Sequence, residues 1–224
     1  MTDPGRKFVS LEDLPRTIPV FPLTGALLLP RARLPLHIFE PRYLAMVDHA
    51  LAGSRVIGMI QPRPGQEMAL RPELYPVGCL GRITSFNETE DSRYFITLGG
   101  LCRFRPVEEL STVTPYRQLT VDYTPFAGDL RPAPDADAVD REALGQVLRN
   151  YLRKRQLEAD WDTINQAPCE TLINSLAIIC PFEPPEKQAL IEALTLADRA
   201  RALTALIEMA IAEEDDGGSD MSVN

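Results

Sequence analysis

Two histidines, four cysteines, three lysines and a few close pairs of charged residues are where this 224-residue chain could do chemistry. A histidine beside a nucleophile makes a general base, clustered Cys and His hold zinc, and paired carboxylates can divide acid and base work. None of these patterns closes. His37, in LPLHIFE, alternates with Leu36 and Ile38 and points outward from a strand, while His49 follows Asp48 on the polar face of a helix. Cys79, Cys102, Cys169 and Cys180 are dispersed in apolar settings without a C-x-x-C pair, and read as buried reduced thiols. Glu88 with Glu90 and Glu108 with Glu109 sit in or near polar turns and read as solvated charge. Glu40 and Arg42 flank Pro41, where a helix dipole favours a carboxylate, so the pair reads as structural, with partner contact as the other use. No G-x-S-x-G, H-E-x-x-H, G-x-G-x-x-G or G-x-x-x-x-G-K-[ST] occurs, and Gly99-Gly100 and Gly217-Gly218 lack the lysine that would follow in a phosphate-binding loop. The expectation is no catalytic residue, no metal and no cofactor.

The elements that would position any of these groups begin at Ile18. From there to Leu51 the chain reads as a short strand, a second strand interrupted by proline, and a helix. Pro19, Pro22, Pro30 and Pro35 each remove a ladder donor, which assigns both strands to sheet edges, strand starts or bulges. Pro41 suits a first helical turn. Tyr43, Leu44, Met46, Val47, Ala50 and Leu51 then make one apolar face, and Gly53 stops the helix. Short runs rich in β-formers follow at Val56 to Ile60, Val77 to Phe86, Tyr94 to Leu98, Leu101 to Val107 and Tyr116 to Tyr123. NETEDSR, Asn87 to Arg93, is a polar hairpin connection, and Arg63 to Tyr75 a surface loop. The count is six or seven strands, enough for a closed or half-open barrel.

Charge divides the chain. Residues 1–126 carry 14 Lys and Arg against 13 Asp and Glu, whereas residues 127–224 carry 9 against 19. The boundary falls in FAGDLRPAPDADAVD, where Gly, Pro and Asp interrupt any periodic pattern. Beyond it Leu144, Val147, Leu148, Tyr151 and Leu152 form a helical stripe. Leu172 to Cys180 makes a central helix, Pro184-Pro185 open another through Leu194, and Thr195 with Asp198 forms a capping box for the last. The domain reading is a flexible amino terminus over 1–16, a β subdomain with one helix over 17–125, a linker over 126–140, a helical bundle over 141–212 and a disordered acidic tail over 213–224.

Several segments in order resemble the amino-terminal, substrate-binding domain of the Lon protease family. They are IPVFPL, a Leu-Pro loop, LPLHIFEPRY, RVIGMIQP, LYPVGCLGRI, YFITLGGLCRFR and, after the linker, KQALIE with Arg199 and Leu203; together they cover roughly Thr17 to Ile211. EDSR, Glu90 to Arg93, departs by lacking a Gly often found in that hairpin. The resemblance implies an α+β fold, a PUA-like β pseudobarrel followed by a small helical bundle. It also implies a stand-alone form without the family's ATPase and protease modules, since none of Lys7, Lys154 and Lys187 sits in a segment like the Ser-Lys dyad. The chain is therefore expected to be a non-enzyme.

Two kinds of function follow. The first, implied by the resemblance, is non-catalytic recognition of unfolded or apolar polypeptide segments in protein quality control or proteolysis, with a protease or chaperone as partner. Adaptor, regulator and holdase roles all fit. Leu27, Leu28 and Leu29 in LTGALLLPRARL are three apolar residues in tandem, more than one strand face buries; they form the candidate partner surface with Arg31, Arg33, Phe39 and Arg42. The second is binding of RNA, suggested by the PUA-like fold alone. A net charge of −9 opposes it, and the basic cluster RNYLRKR, Arg149 to Arg155, also fits the exposed face of a helix. A further reading is descent from Lon-type peptidases without their catalytic residues. With no apolar run near the ~20 residues that span a bilayer and no leader-like amino terminus, the expected location is the cytoplasm, with no membrane partner.

Overall fold

The structure, a computed structural model, describes residues 8–66, 69 and 71–219, with side chains through Glu213. It divides into two compact units that the chain visits alternately. Unit 1 holds the residues up to Pro132 together with Glu183–Ile191, and unit 2 holds Ala133–Phe182 and the residues from Glu192 onward.

Unit 1 is built on six strands: β1 Thr17–Pro22, β2 Arg33–Ile38, β3 Val56–Ile60, β4 Gly78–Glu88, β5 Tyr94–Glu109 and β6 Arg117–Asp122. Their order is β2-β5-β4-β3-β1-β6, and a further β5–β6 pairing closes five of them into a circuit, with β2 added outside on β5. Only β1 with β3 is parallel. The α+β class expected from the sequence holds. β2 is an edge strand, as its Pro35 requires. β1 differs from expectation because it has neighbours on both sides. It uses them in succession, Thr17 to Val20 against β6 and Val20 to Pro22 against β3, so the two ladders overlap only at Val20. Neither Pro19 nor Pro22 therefore stands between two ladders.

The runs Tyr94 to Leu98 and Leu101 to Val107 are one strand of 16 residues, not two. Gly99-Gly100 does not break it, because Gly100 is required by a close approach. A Cβ there would stand 2.0 Å from the Leu29 carbonyl oxygen. Gly100 N–H donates to Ala32 and its carbonyl accepts from Arg31 N–H, each at 2.9 Å. The chain between β1 and β2 is thus held flat on β5, with Leu27, Leu28 and Leu29 at 2%, 1% and 0% exposure.

The segment expected to open a linker at Phe126 is instead a 3-10 turn, Thr124–Leu130, that buries Phe126 and Asp129 in unit 1. Asp129 accepts from the Arg103 backbone N–H (2.9 Å), Nε (2.8 Å) and Nη2 (2.8 Å), while Arg103 Nη1 donates to the Ile191 carbonyl at 3.0 Å. Arg103 also lies 4.7 Å over the Phe126 ring. Beside this pair Cys102 is buried, and burial first, then the Asp129 charge, pushes its thiol up to about 12. The four cysteines are free thiols, three buried and Cys169 half-buried.

The helix α1, Pro41–Ala52, buries Tyr43, Met46, Val47 and Ala50, as the periodicity predicts. In unit 2, α2 Arg141–Lys154, α3 Trp161–Gln166, α4 Cys169–Ile179 and α6 Leu196–Ser219 assemble around Leu144, Leu148, Ile173, Ala177, Leu203 and Ile207. The short α3 is absent from the sequence reading; Asp160 caps it by accepting from Asp162 and Thr163 N–H. Thr195 and Asp198 form the expected capping box, with Asp198 N–H donating to Thr195 Oγ1 at 3.0 Å. Between α4 and α6 comes α5, Pro184–Glu192, of which Pro184 to Ile191 belong to unit 1 and not to the helical bundle. Gln61 Nε2 donates to the Pro184 carbonyl (3.0 Å), Gln188 Nε2 to that of Val77 (3.1 Å) and Lys187 Nζ to that of Gly25 (2.9 Å).

At the termini, residues 1–7 of the expected flexible stretch lie outside the described residues. Residues 9–13 are held by Asp13, which accepts from Val9 and Ser10 N–H. The last helix runs through Ser219, into the segment read as a disordered tail, and residues 220–224 lie outside the described residues.

Two stability tests follow. Asp129→Ala leaves the Arg103 guanidinium buried without its carboxylate, and urea unfolding should show a loss of about 3–5 kcal/mol. Gly100→Ala should cost about 1–3 kcal/mol, because its Cβ meets backbone. Gly99→Ala, whose nearest neighbour is a Thr84 methyl at 3.1 Å, should cost clearly less in the same assay.

Candidate functional site

The sequence candidates separate in space. Leu27, Leu28 and Leu29 offer no surface, since the tandem apolar residues are core packing against β5 rather than an exposed loop. Arg31 has a positive φ of 63° and its Nη1 donates to the Asp129 carbonyl, so it braces the same loop. Arg33 and Phe39 bracket the edge strand β2. Arg42 pairs with Glu40 at 2.8 Å at the start of α1.

What the edge strand presents is aromatic. His37 stands directly opposite Phe95 in the β2–β5 register, and the rings stack with centroids 4.5 Å apart at 15°. Phe39 follows with its centroid 5.7 Å from that of His37. Phe39 is 58% exposed and Phe95 49%, and with both rings against His37 they form an apolar patch rather than scattered single residues. Side chains alternate along a strand, so Ile38 and Ile96 on the other face enter the core at 1% and 2% exposure while His37 and Phe95 face out. Arg33 lies on the outer face too, four residues from His37 and so about 13 Å along β2.

The hairpin end carries a second aromatic pair on the core-facing side. Phe86 meets Tyr94 edge-on at 4.9 Å, and Tyr94 Oη donates to Asp48 of α1 at 3.0 Å. That bond raises the Tyr94 phenol above its ordinary value, because losing the proton would set two anions together. The Phe86–Tyr94 pair ties the hairpin to α1, whereas among the described residues the His37–Phe39–Phe95 face has no such tether. Its chemistry is that of a rigid apolar platform with one titratable ring and no nucleophile. Among the described residues no group of three His, Cys, Asp or Glu is placed to hold a metal.

The chain as a whole has counterparts in known proteins. The profile of the ATP-dependent protease La (LON) substrate-binding domain matches residues 17–209. The chain belongs to this family. Lon protease 2 of Myxococcus xanthus is 30% identical over 155 residues, 69% of this chain and 18% of that protein. The Lon protease of Dictyoglomus thermophilum is 25% identical over 212 residues, 89% of this chain and 25% of that protein. The chain thus spans a quarter or less of these relatives' length, and the family match is to the Lon substrate-binding domain alone.

Solved structures agree in fold. The N-terminal domain of Mycobacterium avium complex Lon protease superposes with a TM-score of 0.63 at 18% identity, covering 86% of this chain and 98% of that one. The Lon N-terminal domain protein from Xanthomonas campestris gives 0.56 at 24% identity, covering 84% and 97%. In this Lon domain the LPLHIFEPRY segment is both edge strand and helix start. KQALIE supplies Lys187 and Gln188, the residues that anchor α5 in unit 1. None of the described helices is long and apolar enough to cross a membrane.

Sequence reasoning weighed His37 for catalysis or metal binding, ranked it below the Leu27–Leu29 loop as a partner contact, and passed over Phe95. The signal was the alternation of Phe95 and Thr97 with Ile96 and Leu98, but only the register sets Phe95 beside His37. The placement predicts a contrast in stability. Phe39→Ser with Phe95→Ser should cost only about 1–2 kcal/mol in urea unfolding, for the part of each ring already packed and the stacking of Phe95 on His37, and should leave the chain folded. Leu28→Asp should prevent folding by burying a charge.

Proposed function

We propose that this Lon substrate-binding domain is a non-catalytic module of the cytoplasm that captures exposed apolar polypeptide segments through the edge strand β2 and the aromatic face of His37, Phe39 and Phe95. The observation that carries this is the pair of half-exposed phenylalanines beside an edge-strand histidine, Phe95 stacked on its ring and Phe39 tilted against it. Among the described strands β2 pairs only with β5, so its outer edge has backbone groups to offer an extended peptide, and the aromatic face beside it takes alternate side chains. Burying the exposed part of each phenylalanine contributes about 1 kcal/mol, enough for micromolar rather than nanomolar capture once association costs are met. Arg33, on the same strand face, adds a cation at the rim.

RNA has less support. The chain carries net charge −9. The basic cluster of unit 2 is also occupied internally: Arg149 lies 4.7 Å over Trp161, Arg155 4.5 Å over Tyr151, and Lys154 donates to the Ile211 carbonyl.

Fluorescence anisotropy with an amidated peptide rich in Phe and Leu and free of acidic residues tests the proposal. Micromolar binding is expected, weakened about fivefold or more by Phe39→Ser with Phe95→Ser, and the peptide should remain uncut after incubation. Unchanged affinity in that variant would remove the aromatic face from the proposal. Tighter binding of single-stranded RNA, falling steeply with salt, would replace it.

A further inference from the structure

Unit 1 contains a cavity of about 280 Å³ whose walls carry four arginines, Arg42, Arg63, Arg71 and Arg117, and two tyrosines, Tyr43 and Tyr116, with prolines between them. No carboxylate is among the described lining residues, in a chain whose net charge is −9. Among the described residues, the carboxylates that answer these arginines stand outside the walls, and there are three for four cations. Glu109 takes Arg117 at 2.6 Å, Glu40 takes Arg42 at 2.8 Å, while Arg63 to Glu73 and Arg71 to Glu109 are separated by 4.0 and 3.9 Å.

The four do not do the same work. Arg117 is structural, since it grips Glu109 with Nε and Nη2 and donates Nη1 to the Pro72 carbonyl at 2.8 Å. Arg63 is half exposed and Arg71 two-thirds exposed, and their carboxylate contacts are beyond hydrogen-bond reach, so those pairs are weak. A planar guanidinium in that state offers a fork of donors matched to a carboxylate. Walls of like charge focus potential locally even where the net charge is negative. The volume is too large for a bare anion alone and near the small end of organic-ligand pockets, and the tyrosine and proline surfaces suit an apolar side chain beside the charge.

We propose that this cavity binds the carboxylate of a polypeptide, and specifically its free carboxy-terminal end, with Arg63 and Arg71 pairing to the carboxylate and the last side chain resting on Tyr43 and Tyr116. The polypeptide as source rests on the function proposed above, but the cavity is a different surface from the aromatic face and can fail separately.

Three labelled peptides of one apolar sequence read this by anisotropy with the full chain: the free acid, its carboxy-terminal amide, and the amide with one internal glutamate. The free acid should bind about tenfold tighter than the amide. Arg63→Gln with Arg71→Gln should abolish that difference without lowering the melting temperature, since both side chains are exposed. Phe39→Ser with Phe95→Ser should weaken both peptides and preserve the difference, which separates failure of the cavity from failure of the aromatic face. Equal binding of acid and amide, or a difference that survives loss of both arginines, would overturn the proposal. An internal glutamate as effective as the chain end would overturn the assignment to the terminus. Displacement of the free acid by single-stranded RNA or inorganic phosphate at lower concentration than by unlabelled peptide would overturn it in favour of a phosphate site.

Discussion

The buried pair of Arg103 and Asp129 is the constraint on which unit 1 depends. A guanidinium and a carboxylate both removed from water are costly unless every donor and acceptor is met, and here the pairing is dense. Asp129 receives three hydrogen bonds from Arg103, and the remaining arm of the guanidinium reaches the Ile191 carbonyl. The pair therefore joins the middle of the long strand β5, the turn that ends the first pass of the chain through unit 1, and the end of α5 on its return. Arg31, by donating to the Asp129 carbonyl, adds the loop before β2 to the same node. An edge strand can present aromatic rings outward only if the loop feeding it is fixed, and this node fixes it.

A second polar network does for the start of α5 what the ion pair does for its end. Gln61 accepts from Gly25 N–H and donates to the Pro184 carbonyl and to Gln188, which in turn donates to Val77. These are amides satisfied inside a protein, where an unmet group would cost more than a met one contributes. The network makes a nine-residue helix, far in sequence from the strands, part of the same unit. A chain that leaves a unit and returns to it must specify the point of return, and Lys187 and Gln188 supply that specification.

Much of the fold was legible from the sequence. Short runs of β-forming residues between turn residues located β3, β4 and β6, the stripe from Tyr43 to Leu51 located α1, and the Thr195–Asp198 capping box located the start of α6, because each is a local pattern with a local cause. The errors arose where a distant neighbour overrode the local signal. Gly99-Gly100 looks like a break until the Leu29 carbonyl is seen lying against it. Asp and Pro from Phe126 onward look like a linker until Asp129 is found under Arg103. Leu27 to Leu29 look too apolar for one strand face, and they are, because a loop pressed onto β5 buries all three.

The candidate surfaces divide in the same way. By itself the sequence determined the family, the α+β class, the strands and helices with strong periodicity, and the lack of recognised catalytic motifs, because composition, spacing and ordered motifs are properties of neighbouring residues. Only the tertiary structure decided which residues share a surface. Cross-strand register put His37 against Phe95, 58 positions apart, and the convergence of α1, β6 and the loop between β3 and β4 gathered four arginines around one cavity. Register and convergence depend on contacts between segments distant in sequence, and no local pattern of residue types encodes them.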